Sequence, residues 1–135
     1  MKQKIKNRIV NYVKSNYKLL DSSKFLNGKT YCNHRCHLNA VQEAYENGDK
    51  VCLVVCIGDG EVIVHFINQN LDGDYIDNTL GWYGKELYDY YLVKEVSTSE
   101  YKTIWNLLIN TKKMLINTNS SWLERKLKII KEDDI

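Results

Sequence analysis

Three side chains spread along the first 77 residues could do nucleophilic chemistry together: Cys36, His65 and Asp77. A thiol attacks only as the thiolate, and the start of a helix favours that form, because unpaired backbone N–H groups and the positive end of the helix dipole lower a cysteine's pKa. The sequence puts Cys36 at such a start. A compact polar segment, Thr30-Tyr31-Cys32-Asn33-His34-Arg35, precedes it, and Leu38, Val41, Ala44 and Tyr45 follow at helical spacing up to Asn47-Gly48, where glycine is the usual left-handed C-terminal cap. An imidazole can take the thiol proton and return it to a leaving group, while a carboxylate fixes the imidazole tautomer and stabilises the imidazolium.

The elements that must position His65 and Asp77 are strands. Three β-like runs, at 50–57, 61–68 and 75–79, are separated by Gly58-Asp59-Gly60 and by Gln69-Asn70-Leu71-Asp72-Gly73. Asp-Gly tolerates the positive φ angles of a tight hairpin. If 69–73 is a five-residue hairpin loop, Asn68 faces Asp74, and counting outward sets His65 opposite Asp77. Directly opposed residues share a face with Cβ atoms about 4.5–5.5 Å apart, so a His–carboxylate hydrogen bond is expected. A one-residue slip turns Asp77 to the other face.

Outside this region, Ile5, Ile9, Tyr12, Val13, Tyr17 and Leu20 predict an amphipathic helix over 2–20. A fourth strand is expected at 90–96. Two C-terminal helices are expected within 99–131, with Trp105 and Trp122 at core positions. The expected fold class is α+β: an antiparallel sheet of three to five strands, the Cys36 helix packed on it, and extra N- and C-terminal helices. At 135 residues the chain is expected to be a single domain, 1–135, with the reactive residues within 30–97.

The ordered segments Cys36-His37-Leu38-Asn39-Ala40, Val64-His65-Phe66-Ile67 and Tyr75-Ile76-Asp77-Asn78-Thr79-Leu80-Gly81 resemble the three motifs of small papain-like and transglutaminase-like cysteine enzymes. The resemblance implies Cys36 as nucleophile, His65 as general base and then acid, Asp77 as orienting group, and a protein, peptide or small amide as substrate. It implies no cofactor. Enzymes of that kind usually carry a glutamine shortly before the cysteine as an oxyanion donor, and here none lies between Gln3 and Gln42. The Cys36 backbone N–H supplies one donor, and Asn33, Tyr31 and His34 are open as the second. Trp82, in a loop five residues past Asp77, is the expected groove residue.

Charge and composition narrow the classes further. The net charge of +2 divides into +6 over residues 1–50, −7 over 51–100 and +3 over 101–135. That argues for packing around an acidic middle, and against one basic nucleic-acid face. No run is apolar enough for a membrane span or a secretory leader, so a cytoplasmic protein is expected. The Lys, Asn, Ile and Tyr richness fits A/T-rich coding, as in low-GC bacteria or their phages. Cys32, Cys36, Cys52 and Cys56 are expected to be thiols. A zinc site from Cys32, His34, Cys36 and His37 is a rival reading, but four candidates within six residues crowd a tetrahedral site. A second rival is a binding protein without turnover, such as a phage-type host-factor antagonist.

Overall fold

The computed structural model describes residues 1–31 and 33–135, so Cys32 and any zinc reading that needs it lie outside the described residues. The chain runs α1 (Lys2–Asn16), β1 (Lys18–Leu19), β2 (Phe25–Leu26), α2 (Cys36–Asn47), β3 (Lys50–Gly58), β4 (Glu61–Gln69), β5 (Tyr75–Ile76), α3 (Trp82–Leu87), β6 (Asp89–Val96), α4 (Ile104–Asn119) and α5 (Trp122–Lys126). Short 3-10 turns occupy Ser22–Lys24, Thr98–Thr103 and Glu132–Asp134.

In α1, Ile5, Ile9 and Val13 recur every fourth residue and are fully buried, while Lys6 extends to Glu61 at 3.0 Å. The helix stops earlier than its periodicity suggests. Tyr17 turns extended, Lys18 and Leu19 pair with Leu92 and Tyr91 of β6, and the Leu20 N–H donates to the Tyr90 carbonyl at 2.8 Å. Edge pairing places Leu20 in a second core on the other side of the sheet, a tertiary gain that helix propensity cannot match. Helix α2 ends as expected on Gly48 in the left-handed conformation, φ 72°.

Strands β3 and β4 form a hairpin closed by Asp59 (φ 52°) and Gly60 (φ 77°), with Gly58 paired to Glu61. Apart from its first and last residues β3 is buried on both faces, which explains its unbroken apolar run Val51–Ile57. Leu53, Val55, Val64 and Phe66 face the larger core under α1, α2 and α4. Cys52, Val54, Cys56 and Ile67 face a smaller core with Leu20, Phe25 and Tyr90, in which the Phe25 ring packs 4.7 Å from that of Tyr90.

The expected antiparallel sheet of three to five strands carrying a nucleophile helix, the papain-like or transglutaminase-like core, is not the one found. The sheet has six strands in the order β1-β6-β3-β4-β5-β2, is mixed because β2 runs parallel to β5, and curls through 214° into a half-barrel. Two physical reasons account for the difference. The edge strands β1, β2 and β5 have two residues each, too short for any alternation to be read. The pairing of β3 with β6 shifts register between Leu53 and Val54, an irregularity of the kind that increases local twist.

At the C-terminal end a 3-10 turn replaces the first turn of the expected helix, held by a capping box between Ser97 and Glu100, and α5 has only five residues. Trp105 and Trp122 are not core residues: they are 53% and 65% exposed, and Trp122 instead lies 4.8 Å under the Lys126 ammonium. Among the described residues no helix is long and apolar enough to cross a membrane.

A buried amide ties three elements together. Asn68, fully buried on β4, donates from Nδ2 to the Ala40 carbonyl of α2 at 2.8 Å and to the Lys50 carbonyl at 3.2 Å, and accepts from Asn78 at 3.0 Å. Replacing it with alanine leaves those partners unpaired in the interior. Asn68→Ala should therefore cost roughly 2–3 kcal/mol. In urea unfolding this appears as a lowered midpoint at unchanged m value, and an unchanged midpoint would show that the amide does not clamp α2 to the sheet.

Candidate functional site

His65 points from β4 toward the smaller core, opposite Val54 of β3. Its register with Asp77 differs from the expected one by two residues: Asn68 pairs with Ile76 and Gln69 with Tyr75. The loop does hold five residues, but they are 70–74, one further along the chain. Asn70 organises them, with its backbone N–H donating to the Asp74 carbonyl at 2.9 Å and its Oδ1 accepting from the Asp72 and Asp74 N–H groups at 3.0 and 2.9 Å. A slip of two residues preserves the face, so Asp77 still arrives on the side of His65, diagonally rather than directly opposite. The bond forms: His65 Nε2 lies 2.9 Å from Asp77 Oδ2, and the two residues are 3% and 1% exposed.

Asp77 leaves the strand just after Ile76 and folds a turn around its own carboxylate. Oδ1 accepts from the Thr79 and Leu80 N–H groups at 3.0 and 2.9 Å, and Oδ2 accepts a second bond from the Tyr90 hydroxyl at 2.6 Å. Burial pushes the carboxyl's pKa up, but the charge of His65 and the hydrogen bonds from His65, Tyr90 and the Leu80 N–H outweigh it and hold the pKa below the ordinary aspartate value. Two glycines permit this packing. A Cβ on Gly84 of α3 would lie 2.1 Å from the Tyr90 hydroxyl and 3.0 Å from Asp77 Oδ2, and one on Gly28 would lie 2.2 Å from the Asp77 carbonyl oxygen.

Cys36 belongs to the larger core, on the face of the sheet opposite His65. The two meet around an edge. β5 pairs with β4 only at Asn68 and Gln69, so beside His65 and Phe66 the outer edge of β4 has no strand neighbour among the described residues. The first residue of α2 takes that place. The Cys36 sulfur meets the His37 and His65 side chains and the Phe66 backbone, and since Nε2 of His65 is given to Asp77, Nδ1 is the His65 nitrogen left for the thiol.

Burial raises the thiol's pKa, yet the charge of His65 and hydrogen bonds from His37, His65 and the Phe66 backbone bring it down to about 6. Burial lowers the His65 pKa, while the charges of Asp77 and Cys36 and their hydrogen bonds raise it to about 10. The two shifts run in opposite directions and both favour thiolate and imidazolium over thiol and imidazole. The other two described cysteines are unlike it: burial pushes Cys52 up to about 12 and drives Cys56 far above the ordinary thiol value.

The remaining expected residues take different places. Asn33 is engaged in the turn before α2, where its Oδ1 accepts from the Arg35 N–H and from Asn39 Nδ2, both at 3.1 Å. Tyr31 is exposed, and its backbone N–H donates to the Thr79 carbonyl at 2.9 Å. Trp82 opens α3, 55% exposed, with its ring 4.8 Å from that of Tyr83. His34 sits in the left-handed region, φ 55°. Among the described residues no cluster of three or more His, Cys, Asp and Glu is arranged to hold a metal ion. Cavities of about 470 and 460 Å³ lie elsewhere, one between α4 and the C-terminal tail and one beside β1.

Sequence reasoning missed Tyr90 and the amide web around Asp77. In that web Asn39 Nδ2 donates to Thr79 Oγ1 at 2.9 Å, and Asn78 Oδ1 accepts from the Lys29 N–H at 3.2 Å. Asn78 and Thr79 directly follow Asp77 and are themselves buried, so the only signal was a polar run after an apolar strand.

Comparison with protein-family models, with curated proteins and with solved structures returns no match. The chemistry must be argued from the geometry.

Because the Asp77 pKa is depressed in the folded state, the stability it contributes is present above its unfolded value and is lost as pH falls through the folded value. Tyr90→Phe removes one donor and lessens the depression. The variant should lose about 1.5–3 kcal/mol at neutral pH, the range for a hydrogen bond to a charged group, and begin acid unfolding at a higher pH than the parent. Circular dichroism during acid titration measures this, and identical acid midpoints would contradict it.

Proposed function

We propose that this chain is a cysteine-dependent hydrolase or acyltransferase acting on an amide or other acyl bond of a protein, peptide or small molecule. The observation that carries the reading is a low-pKa cysteine at the start of α2, in hydrogen-bond reach of a buried histidine whose far nitrogen is held by a carboxylate. In this reading the Cys36 thiolate attacks the acyl carbon, and the His65 imidazolium gives its proton to the leaving group. His65 then activates a water or amine that resolves the thioester, and Asp77 holds the ring throughout. The motif order Cys, His, Asp supports the reading, although the sheet is not that of the enzymes it resembles. A reducing compartment such as the cytoplasm suits a thiol nucleophile with further free cysteines nearby.

One observation favours a second reading, a binding protein without turnover: Cys36 is only 9% exposed. Thiol chemistry separates the two. With iodoacetamide at pH 7, Cys36 should be alkylated ahead of Cys52 and Cys56, at a rate that rises with a midpoint near pH 6. His65→Ala should move that midpoint upward by removing the opposing charge. Peptide mapping after timed labelling reads both effects. Slow labelling that is equal at Cys36, Cys52 and Cys56 and grows only above pH 8 would favour the binding protein.

A further inference from the structure

The C-terminal part of the molecule carries a surface that the Cys36 site does not use. In α5 the Glu124 carboxylate turns inward, where it is buried and accepts from Arg8 of α1 at 2.8 Å. At about 100° per residue, that direction leaves the opposite face to Trp122 and Lys126, with Leu123 and Leu127 on one flank and Arg125 on the other. Trp122, Leu123 and Leu127 are each more than half exposed. Three large apolar side chains on so short a helix form a patch that calls for a partner.

The Arg125 flank borders the cavity of about 470 Å³ between α4 and the C-terminal tail. Ile116 and Ile130, both buried, form its floor, and four cations surround it: Lys113, Arg125, Lys128 and Lys131. Arg125 is fixed in place by bonds from Nη1 to the Asn117 and Ser120 carbonyls, and its remaining N–H groups have no partner among the described residues. Among the same residues the ammonium groups of Lys113, Lys128 and Lys131 have none either, although Glu132 and Asp133 line the same cavity. Lys128 takes its place from the left-handed region, φ 52°, just past the end of α5, where glycine is the ordinary residue.

We infer that this surface docks on a bilayer containing anionic phospholipids: lipid phosphates meet the cations around the cavity, while Trp122, Leu123 and Leu127 enter the interfacial layer beside them. Such an interface favours apolar side chains set among Lys and Arg, because it offers hydrocarbon beneath a negatively charged surface. An indole in particular settles at headgroup level. The contact is with one leaflet and is not a span, since among the described residues no helix is long and apolar enough to cross. Charge decides against a second copy as the occupant. A twofold contact through this patch sets Arg125, Lys126, Lys128 and Lys131 of one copy against the same cations of the other. A nucleic acid would satisfy the cations and leave the three apolar side chains in water. The docking is independent of the chemistry at Cys36.

Vesicle co-sedimentation of the full chain tests this. The protein should sediment with phosphatidylcholine vesicles that carry about 30% phosphatidylglycerol and stay in solution with pure phosphatidylcholine vesicles. Lys128→Gln and Lys131→Gln should each weaken the partition about fivefold, and Trp122→Ala about tenfold. Brominated phosphatidylcholine in the anionic vesicles should quench wild-type tryptophan emission, and Trp122→Phe, which keeps Trp82 and Trp105 as reporters, should lose that quenching. All three substituted positions are exposed, so a urea midpoint near the wild-type value certifies that each variant is folded.

Equal sedimentation with both kinds of vesicle, or with neither, overturns the inference, as do lysine variants that partition like the wild type or quenching that persists in Trp122→Phe. Soluble glycerol phosphate separates a bilayer from a free phosphate: thermal stabilisation by glycerol phosphate without sedimentation on anionic vesicles assigns the cavity to a soluble ligand and overturns the docking. A concentration-dependent dimer that Trp122→Ala abolishes, again without vesicle binding, assigns the patch to a second copy and overturns it equally.

Discussion

The hydrogen bond between His65 and Asp77 is the constraint around which the rest of the site is built. Two ionised groups taken out of water lose several kcal/mol of hydration each, and a single Coulombic contact rarely returns that. The protein compensates by saturating the carboxylate: one bond from the imidazole, one from Tyr90 and two from the backbone of its own turn. Each partner has structural consequences. The Tyr90 hydroxyl requires bare backbone at Gly84, which fixes where α3 crosses. The two backbone bonds require the chain to leave the sheet at Asp77, which limits β5 to two residues.

The shortness of β5 then decides where Cys36 can sit. A longer β5 would satisfy the outer edge of β4 beside His65 and Phe66, and helix α2 could reach only the far face of the sheet. Because pairing stops at Asn68, the first residue of α2 bonds the Phe66 backbone and meets the imidazole around the edge. Asn68 itself marks this boundary. It holds α2 through Ala40, the β3 start through Lys50 and the Asp77 turn through Asn78, so the three parts of the site share one buried amide.

Features governed by local rules were legible in the sequence. The start of α2 at Cys36, its end at Gly48, the Asp59-Gly60 hairpin and the meeting of His65 with Asp77 all follow from spacing and turn chemistry. The last was reached through a register wrong by two residues, and it survived because side-chain direction in a strand depends only on parity. Features set by tertiary partners were not legible. Two residues at Lys18 or Phe25 carry no period, Trp105 and Trp122 have the spacing of core residues yet face solvent, and nothing near Tyr90 announces a bond to a carboxylate thirteen residues earlier. The charge blocks also mislead. Lys6 to Glu61 and Lys50 to Glu95 do join a basic end to the acidic middle, but Lys2 to Asp134 and Arg8 to Glu124 join the two ends to each other.

Burial works in opposite directions on the two halves of the site. For Asp77 and His65, exclusion of water strengthens the fixed dipoles and charges that hold the imidazolium, so more burial means better orientation. For Cys36 the same burial opposes the thiolate and hinders any partner's approach, and only the opposing charge of His65 with nearby donors reverses the first effect. Placing the thiol at a sheet edge, one residue from a half-buried histidine that packs on a half-exposed tryptophan, keeps it against the imidazole while Cys36 itself stays 9% exposed. A thiol on the sheet face beside His65 would be more deeply enclosed still. One on the outer surface of α2 would gain access and lose the imidazole.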